Sequence, residues 1–375
     1  MKARNGEDGK EKEKKEEVLI LGGGFGGVTA AIELARRLPK SRITLVDKTP
    51  YHSYHADLYE LAGALFHEQG GGIKKEFLTL HSTVAIPFAE IFKPYPCVTF
   101  HQAEVLAIDL PRSEVTLSTG RVAYGDLIIA LGSETNYFGI PRLEEHSLEM
   151  KTTTDALNIN AALEELFASR AKHEIISVVV TGGGFTGCEL AGELAFSLKK
   201  AACTRGHPAE NIALTIIEAT DVLLGGAGEW FSSRAKKRLE SLGVKVMLAS
   251  PIVDVTPHEA TLKEKMSVPY HLLIWTAGVR ASSIVKNITG VEIQKNNCIA
   301  VNENMHPLPY HNAFVIGDMA HCVAGRGGKP LPMTAQVAIH EAHYIARHMA
   351  DKLGGKKDLQ DYHPKISRFV VPLGG

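Results

Sequence analysis

The chain has 375 residues, 45% of them hydrophobic, and a formal net charge of −1 at pH 7. Its length suggests two domains rather than one, and the balanced charge argues against nucleic acid as a partner. Its five cysteines are scattered without CxxC or CxxxxC spacing, which indicates a reducing compartment and argues against a disulfide framework and against a redox-active dithiol.

The chain begins with a charged segment that is followed by a βαβ unit. Residues 1–17 mix Lys and Glu without an apolar segment, so we predict a disordered tail rather than a signal peptide. The apolar run Val18–Leu21 predicts a strand, residues 28–38 predict a helix, and the strand Arg42–Val46 ends in Asp47. No apolar run reaches the roughly 18 residues of a membrane-spanning helix.

The middle of the chain repeats this unit. A loop is predicted at Gly70–Gly72, short antiparallel strands over residues 98–110 and 114–117, a buried strand over Asp126–Ala130, and a helix over Thr152–Ala171. The second unit consists of a strand at Ile175–Val180, a glycine loop, a helix through about Lys200, and a strand at Ala213–Ile217 that ends in Glu218. Its similarity to residues 18–47 indicates an internal repeat.

Further elements are predicted towards the C-terminus. They are the strands Leu272–Trp275 and Ala313–Ile316, a long helix over Pro332–His348, and residues 368–375, which read as an interrupted strand and turn.

The first glycine loop has the pattern GxGxxG between a strand and a helix. Gly22 allows the tight turn, Gly24 lets the backbone approach a pyrophosphate, and Gly27 lets helix and strand pack closely. The helix N-terminus then faces the phosphates, and the Asp47 carboxylate can accept hydrogen bonds from ribose hydroxyls. The alternative is a glycine-rich turn that binds nothing. The context of strand, loop, helix and acidic residue favours a dinucleotide.

Gly182, Gly184 and Gly187 repeat this arrangement, with Glu218 as the acidic partner. Glu218 lies farther along the chain than the usual ~20 residues, which a longer polar loop over residues 199–211 explains. No Arg follows Glu218 to pair with a 2′-phosphate, and the carboxylate would repel one, so we predict NADH rather than NADPH. Two nicotinamides would have no chemistry between them, whereas a bound flavin and an exchangeable nicotinamide can exchange a hydride.

Several stretches resemble known flavoproteins. The first loop, the stretch Asp126–Gly132 (DLIIALG) and the stretch Phe314–Asp318 (FVIGD) resemble the three FAD signatures of flavoproteins with two dinucleotide-binding domains. Within that superfamily, residues 182–194 (GGGFTGCELAGEL), 274–281 (IWTAGVRA) and 334–338 (TAQVA) resemble type II NADH:quinone oxidoreductases.

The resemblance runs from about residue 18 to residue 350 and implies an α/β fold with two Rossmann-like domains. The implied FAD domain covers residues 18–150 and 286–350, with the NADH domain inserted at residues 151–285. Residues 351–375 would begin a C-terminal region that reads as truncated. The family attaches to the cytoplasmic side of the cell membrane through that region, so the resemblance implies a peripheral membrane enzyme whose truncated form is soluble. Formation of a homodimer is left open.

The resemblance also assigns residues to each cofactor. For FAD they are Gly22, Gly24, Phe25, Gly26, Gly27, Asp47, Lys48, His52, Val105, Ala130, Gly132, Gly317, Asp318, Ala335 and Gln336, with Asp318 hydrogen-bonding the ribitol. For NADH they are Gly182, Gly184, Phe185, Thr186, Gly187, Glu218, Ala277 and Gly278. No metal site is predicted.

Three residues are candidates for catalysis. Gln336 and His340 lie four apart on one helix face, where both can hydrogen-bond a quinone carbonyl and an imidazole can deliver a proton. His340 replaces the last Gln of the family motif AQxAxQ, and a structural role for it is the alternative. By resemblance Glu189 approaches the junction of nicotinamide and flavin. Its alternative is a first-turn carboxylate that the helix dipole favours.

Two further features near the FAD site are open. The aromatic cluster Tyr51–His55 either lines the flavin or fills the core. Cys322, four residues beyond Asp318, is either a redox group or a passive small residue.

Other functions remain open on the sequence alone. A sulfide:quinone oxidoreductase shares the architecture but needs cysteines at the flavin and no nicotinamide site. A soluble reductase of ferredoxin or rubredoxin would lack the quinone motif. A non-catalytic NADH sensor would bind the nucleotide without turnover. The leading hypothesis is electron transfer from NADH through FAD to a membrane quinone.

Overall fold

The computed structural model describes residues 17–65, 75–323, 329–356, 360–364 and 370–374. The α-helices in this part of the chain are α1 (Phe25–Arg37), α2 (Leu58–Gly63), α3 (Lys75–Val84), α4 (Phe88–Phe92), α5 (Leu143–His146), α6 (Thr153–Ser169), α7 (Phe185–Arg205), α8 (Glu229–Ser241) and α9 (Ala335–Leu353). The strands are β1 (Glu17–Leu21), β2 (Arg42–Asp47), β3 (Tyr51–Ser53), β4 (Ala85–Pro87), β5 (Val98–Gln102), β6 (Val105–Asp109), β7 (Glu114–Leu117), β8 (Gly120–Ala123), β9 (Asp126–Ile129), β10 (Ser133–Thr135), β11 (Leu148–Glu149) and β12 (Ile176–Thr181). They continue with β13 (Ile212–Ile217), β14 (Lys245–Met247), β15 (Ile252–Thr256), β16 (Glu259–Leu262), β17 (Ser267–Pro269), β18 (Leu272–Trp275), β19 (Val279–Ala281), β20 (Ile288–Thr289), β21 (Ile299–Ala300), β22 (Ala313–Val315) and β23 (Ala320–His321).

The first unit is built on a parallel sheet with the strand order β22-β9-β1-β2-β5. Side chains alternate between its two faces, as expected of a sheet that is covered on both sides. Ile20 points into the core that α1 and α9 form, whereas Leu19 and Leu21 point into the core beneath the antiparallel strands β6–β8. The loops that leave the carboxyl ends of β1, β2 and β9 therefore meet at one edge.

The second unit repeats this design. Its parallel sheet has the order β11-β18-β12-β13-β14, and the antiparallel strands β15–β17 cover one face. Helices α6, α7 and α8 cover the other face. In both units a strand is followed by a glycine loop, a helix, two further parallel strands, three antiparallel strands and a final parallel strand. This order confirms the two Rossmann-like domains that the repeat predicts.

Two features join the units. The chain leaves the first unit along β10 and returns along β19, and these strands pair antiparallel. Helix α2 precedes β5 in the chain, yet Leu58, Leu61 and Ala62 lie in the core of the second unit. The amide Nδ2 of the buried Asn160 on α6 donates to the carbonyl oxygen of Ala64 at 2.9 Å, just beyond the end of α2.

Several predicted boundaries were wrong. Residues 98–102 pair parallel with β2 rather than antiparallel, because they form the next strand of the central sheet. Helix α1 begins at Phe25 rather than residue 28, since the loop glycines already form its first turn, and α7 continues past Lys200 to Arg205. Helix α9 begins at Ala335 rather than Pro332, because the Thr334 hydroxyl accepts the N–H of Val337 as its N-cap.

The chain ends contain two smaller differences. Glu17, assigned to the tail, is the first residue of β1, where it pairs with Arg42. Residues 370–374 form no strand. Residues 1–16, the predicted loop at Gly70–Gly72 and residues 365–369 lie outside the described residues.

Candidate active site

The first glycine loop requires glycine at two positions for packing. Gly22 has a φ of +102°, and a Cβ there would lie 2.2 Å from the carbonyl oxygen of Ala130. A Cβ on Gly27 would lie 1.9 Å from the carbonyl oxygen of Gly22. Gly24 is different, because a Cβ there would meet no atom within 4 Å. The space beside Gly24 is therefore open to a ligand at the N-terminus of α1.

Asp47 holds this loop at the end of β2. Its Oδ2 accepts a hydrogen bond from the N–H of Gly23 at 2.6 Å, and its Oδ1 accepts from the N–H and the hydroxyl of Thr49, both at 2.8 Å. The carboxylate is thus fixed at the edge of the sheet, next to the open space at Gly24.

The second loop has the same geometry. Gly182 has a φ of +100°, a Cβ on Gly187 would lie 1.9 Å from the carbonyl oxygen of Gly182, and a Cβ on Gly184 would meet no atom within 4 Å. Oε2 of Glu218 accepts from the N–H of Gly183 at 2.5 Å, and Oε1 accepts from the N–H and hydroxyl of Thr220, both at 2.8 Å. The two units therefore share one pattern of hydrogen bonds around an acidic residue at a strand end.

A cleft of about 270 Å³ opens at the second loop. The sequence-predicted residues Gly182, Gly184, Glu218, Ala277 and Gly278 all line it. Phe185, Thr186 and Gly187 lie in the first turn of α7, whose N-terminus begins directly after Gly184. Residues that the sequence did not assign to NADH complete the walls: Phe138, Thr181, Ile217, Ala219, Ser250, Ile252, Trp275 and Thr276.

Aromatic side chains gather beside the first loop. The ring of Phe25 lies 5.1 Å from that of His52, 5.5 Å from Tyr54 and 6.0 Å from His55, between centroids. The Nδ1 atom of His52 is 2.8 Å from the carbonyl oxygen of Gly23. Burial lowers the pKa of His52 and lowers that of His55 to about 4, so both imidazoles are neutral at pH 7. The buried Nδ1 of His55 has no hydrogen-bond partner among the described residues.

Asp318 lies in a polar cluster with two residues that the sequence did not indicate. The hydroxyl of Ser133 donates to Oδ2 of Asp318, and Nζ of Lys151 donates to that hydroxyl at 2.7 Å while lying 3.9 Å from the Asp318 carboxylate. Burial lowers the pKa of Lys151, while Asp318 opposes this effect. Ser133 follows Gly132 directly, but Lys151 reaches Asp318 only through the tertiary fold.

The N-terminal part of α9 lies against the first loop and the Gly317–Asp318 turn. A Cβ on Gly317 would lie 3.3 Å from the Cβ of Ala338, and one on Gly26 would lie 3.5 Å from it. Ala335 is exposed, and the side chains of Gln336 and His340 are half-buried on this helix. The next residue, Glu341, is buried and was missed.

Glu341 accepts the N–H of Gly317 at 2.6 Å through Oε2. Burial raises the pKa of this carboxyl to about 8, and the charge of Asp318 adds to the effect. A signal in the sequence was the helical spacing of Glu341 from the apolar residues Val337, Ala338 and Ile345, which places it on the buried face of α9.

Glu189 lies on α7, half-buried and within electrostatic range of Asp57. Burial, assisted by the charge of Asp57, raises its pKa to about 7. One turn further along α7, burial and the charge of Glu60 raise the pKa of Glu193. The fold therefore places Glu189, two residues beyond the second glycine loop, close enough to Asp57 of the first half of the chain for the two charges to interact.

The remaining predicted FAD residues are less closely grouped. Lys48 is exposed, and its carbonyl oxygen accepts a hydrogen bond from Gln102 at 3.1 Å. Val105 is half-buried at the start of β6, just after the end of β5. Ala130 and Gly132 follow β9, and the carbonyl oxygen of Gly132 accepts the N–H of Ser282 at 3.1 Å.

None of the five cysteines, all of which lie in the described part of the chain, forms a disulfide bond. Sγ of Cys188 lies 3.4 Å from the carbonyl oxygen of Gly183, and burial raises its pKa to about 12. Sγ of Cys298 lies 3.7 Å from the carbonyl oxygen of Asp318, and burial raises its pKa as well. Cys322 is buried in the apolar core beside α1 and α9. Protonated thiols are poor nucleophiles, so neither Cys188 nor Cys298 is poised for sulfur chemistry.

The residues at the two glycine loops have the space and the polar groups that a flavin dinucleotide and a nicotinamide dinucleotide require. The open positions at Gly24 and Gly184 leave space for pyrophosphates at two helix N-termini. The unpartnered Nδ1 of His55 and the Lys151–Ser133–Asp318 cluster offer polar groups beside the first loop. The residues present therefore fit both groups.

Two parallel sheets, each with a glycine loop and an acidic strand end, define a protein with two dinucleotide-binding units. Residues 16–342 match the family model described as pyridine nucleotide-disulphide oxidoreductase. The chain belongs to this family of oxidoreductases.

Individual proteins are also similar to the chain. A type II NADH:quinone oxidoreductase of Staphylococcus aureus is 28% identical over 353 residues, which cover 91% of the chain and 84% of that protein. The structure of NDH2 from Plasmodium falciparum in complex with NADH matches with a TM-score of 0.83 at 19% identity. The match covers 96% of the present chain and 89% of the NDH2 chain. A sulfide:quinone oxidoreductase from Aquifex aeolicus matches with a TM-score of 0.75 at 20% identity. The match covers 92% of the present chain and 78% of the Aquifex aeolicus chain.

Proposed function

We propose that the chain is an NADH:quinone oxidoreductase that holds FAD at the first glycine loop and NADH at the second. The observation that carries the proposal is the duplicated geometry of Gly24 with Asp47 and Gly184 with Glu218. The similarity to the Staphylococcus aureus enzyme supports the choice of reaction.

In this proposal the first unit binds FAD through fixed polar groups. The N-terminus of α1 faces the pyrophosphate, Asp47 accepts from the adenosine ribose, and Asp318 accepts from the ribitol. The ion pair with Lys151 keeps Asp318 in place. The α9 N-terminus beside Gly317 would stabilise negative charge on the reduced cofactor by about 0.3–2 kcal/mol.

When bound, FAD supplies the two-electron chemistry that accepts a hydride from NADH and delivers electrons to a quinone. The protein's own part is to hold protons and to position substrates. The Glu189 carboxyl, with its pKa near 7, holds a proton in a large fraction of molecules at neutral pH. Gln336 and His340 on α9 would hydrogen-bond the quinone carbonyl oxygens.

NADH is the expected donor in preference to NADPH. Glu218 occupies the place where a 2′-phosphate would lie, and its carboxylate is fixed there by Gly183 and Thr220. We expect kcat/KM for NADH to exceed that for NADPH by about 100-fold, because a phosphate would meet this charge without a cation. A Glu218→Gln variant should show a smaller ratio of kcat/KM for NADH to kcat/KM for NADPH, because the repelling charge is removed. Faster oxidation of NADPH by the unchanged protein would contradict the assignment.

One experiment tests the whole proposal. The purified protein is reconstituted with FAD, mixed with NADH without oxygen, and then given a short-chain quinone while the flavin absorbance near 450 nm is followed. We expect bleaching by NADH and recovery on addition of the quinone. A protein that stays colourless overturns the FAD site. Recovery with an oxidised ferredoxin, but not with quinone, would assign another acceptor, and bleaching by sulfide but not by NADH would assign another donor.

Attachment to a membrane surface and formation of a homodimer belong to the proposal as well. None of the helices in the described part of the chain has the length and apolar composition of a membrane span. Co-sedimentation with anionic vesicles and light scattering measure the two properties directly.

A further inference from the structure

The loop after β10 places an exposed aromatic ring at the mouth of the second cleft. The side chain of Phe138 is 62% exposed, yet it lines the cleft with Glu218 and Gly278. Its ring lies 6.5 Å from that of Trp275 between centroids, at an interplanar angle of 68°. A large apolar side chain left in solvent beside a cavity indicates a surface that a ligand covers.

The backbone holds Phe138 in this position at a conformational cost. Its φ is +52°, in the left-handed region that bulky residues rarely adopt. Neighbouring hydrogen bonds fix the loop: the N–H of Phe138 donates to Oδ1 of Asn136 at 2.9 Å, and Nε1 of Trp275 donates to the carbonyl oxygen of Asn136 at 3.1 Å. The N–H of Asn136 donates to the carbonyl oxygen of Gly278 at 3.2 Å.

Gly278 makes room for this ring. Its φ is +79°, and a Cβ there would lie 2.5 Å from the Phe138 ring. Gly278, the hydrogen-bonded Asn136 and the exposed Phe138 ring therefore form one connected arrangement at the mouth of the cleft.

The cleft also defines which part of a nucleotide lies near Phe138. With the pyrophosphate at Gly184 and the adenosine ribose at Glu218, the base continues past the acidic residue. Beyond Glu218 the lining is formed by Ala219, Ser250 and Ile252, with Phe138 and Trp275 as the aromatic lining residues. A flat base at this end would meet apolar and aromatic groups.

We propose that Phe138 stacks on the adenine of the dinucleotide in the second cleft and sets the preference for an adenine-bearing donor. The inference rests on the proposed function, in which this cleft holds NADH. It adds a binding residue contributed by the loop between the two units rather than by the nucleotide-binding sheet itself.

The test compares ligands with and without the base. Binding of ADP-ribose to the FAD-loaded protein is measured by calorimetry, and KM is measured for NADH and for reduced nicotinamide mononucleotide, which lacks adenosine. We expect Phe138→Ala to weaken ADP-ribose and NADH about tenfold, as for the loss of one base–aromatic stack. The KM for the mononucleotide and kcat should stay unchanged.

Two variants serve as controls. Phe138→Tyr keeps the ring and should bind ADP-ribose as the unchanged protein does. Phe196→Ala removes a ring of similar exposure, 54%, on α7 and outside the cleft lining, and should have no effect. Equal losses for NADH and the mononucleotide, or no loss in Phe138→Ala, overturn the inference.

The outcomes separate this inference from the proposed function. If the unchanged protein binds ADP-ribose but does not reduce quinone with NADH, the proposed reaction fails while the role of Phe138 is still decided by the calorimetry. If ADP-ribose does not bind the unchanged protein, the adenine site is refuted.

Discussion

At the scale of single residues, two carboxyl groups have raised pKa values: Glu341, which is buried, and Glu189, which is half-buried. Glu189 and Glu341 both have pKa values raised by burial, to about 7 and about 8. The two residues differ in position. Glu189 lies on α7 near Asp57 of the first half of the chain, whereas Glu341 accepts a hydrogen bond from the N–H of Gly317. We therefore expect the first to affect turnover and the second to affect stability.

Replacing Glu189 by Gln should lower turnover about 100-fold, because a positioned proton donor contributes on this order. In the unchanged protein, turnover should fall as pH rises through about 7, where the carboxyl loses its proton. The variant should lose this dependence while its flavin content, measured by absorbance, stays the same. The exposed Glu165→Gln on α6 is the matched control. Turnover of Glu189→Gln at the normal level would contradict a catalytic role.

Replacing Glu341 by Gln should change how stability depends on pH. The folded-state pKa of about 8 lies above the ordinary value of 4.5, so the folded protein binds more protons between these values. The free energy of unfolding should therefore fall as pH rises from about 5 to 8, by on the order of 3 kcal/mol for this group. The Gln variant keeps an acceptor for Gly317 and should be less sensitive. Urea unfolding at pH 5 and pH 8 measures this.

The exposed Glu90→Gln on α4 provides the control for Glu341 and should show the same pH dependence as the unchanged protein. If Glu341→Gln and the unchanged protein lose stability equally between pH 5 and pH 8, the carboxyl does not bind the extra proton.

At the scale of elements, the two glycine loops allow a matched pair of substitutions. Gly24 and Gly184 have φ values of −73° and −71°, which alanine also adopts, and a Cβ at either position meets no protein atom within 4 Å. Gly24→Ala should therefore fold but lose most of its FAD. Gly184→Ala should keep FAD and show a KM for NADH raised about tenfold or more.

Flavin absorbance and steady-state kinetics on both variants provide the measurement, and each variant is the control for the other. Loss of FAD from Gly184→Ala, or full FAD content in Gly24→Ala, would show that the loops are assigned to the wrong cofactors.

The repeated unit was the part of the fold most open to prediction. The strand Leu272–Trp275 and the acidic residues Asp47 and Glu218 at strand ends were predicted from apolar runs and from the glycine-rich loops between them. Both are local signals in the sequence. The parallel pairing of β5 was not predicted, because parallel partners are joined only through distant crossovers. Lys151 and Glu341 were missed for the same reason, since their partners lie far away in sequence.

At the scale of the whole molecule, α2 ties the units together. It belongs to the first half of the chain but packs in the core of the second unit against α6 and α7. Asn160 anchors it through the carbonyl oxygens at and beyond its end, the shortest bond being that to Ala64 at 2.9 Å. The two units therefore share buried surface, and a change at this contact affects both.

Asn160→Ala should lower the free energy of unfolding by about 1–3 kcal/mol, because buried carbonyl oxygens lose their donor. Asn158→Ala, an exposed position on the same helix, is the matched control and should stay within about 0.5 kcal/mol. Chemical unfolding followed by both flavin fluorescence and circular dichroism measures the effect. An unchanged stability in Asn160→Ala would show that α2 is not held by this side chain.

The antiparallel pairing of β10 with β19 has a mechanical consequence. Both passages of the chain between the units run side by side, with Ser133 opposite Ala281 and Thr135 opposite Val279. The Glu134–Arg280 ion pair at 2.8 Å reinforces them. Rotation of one unit against the other would have to distort both strands at once, and the packing of α2 in the core of the second unit would oppose it. We therefore expect a dinucleotide to enter and leave through the outer rim of its cleft by small local rearrangements, while the two units keep their mutual orientation.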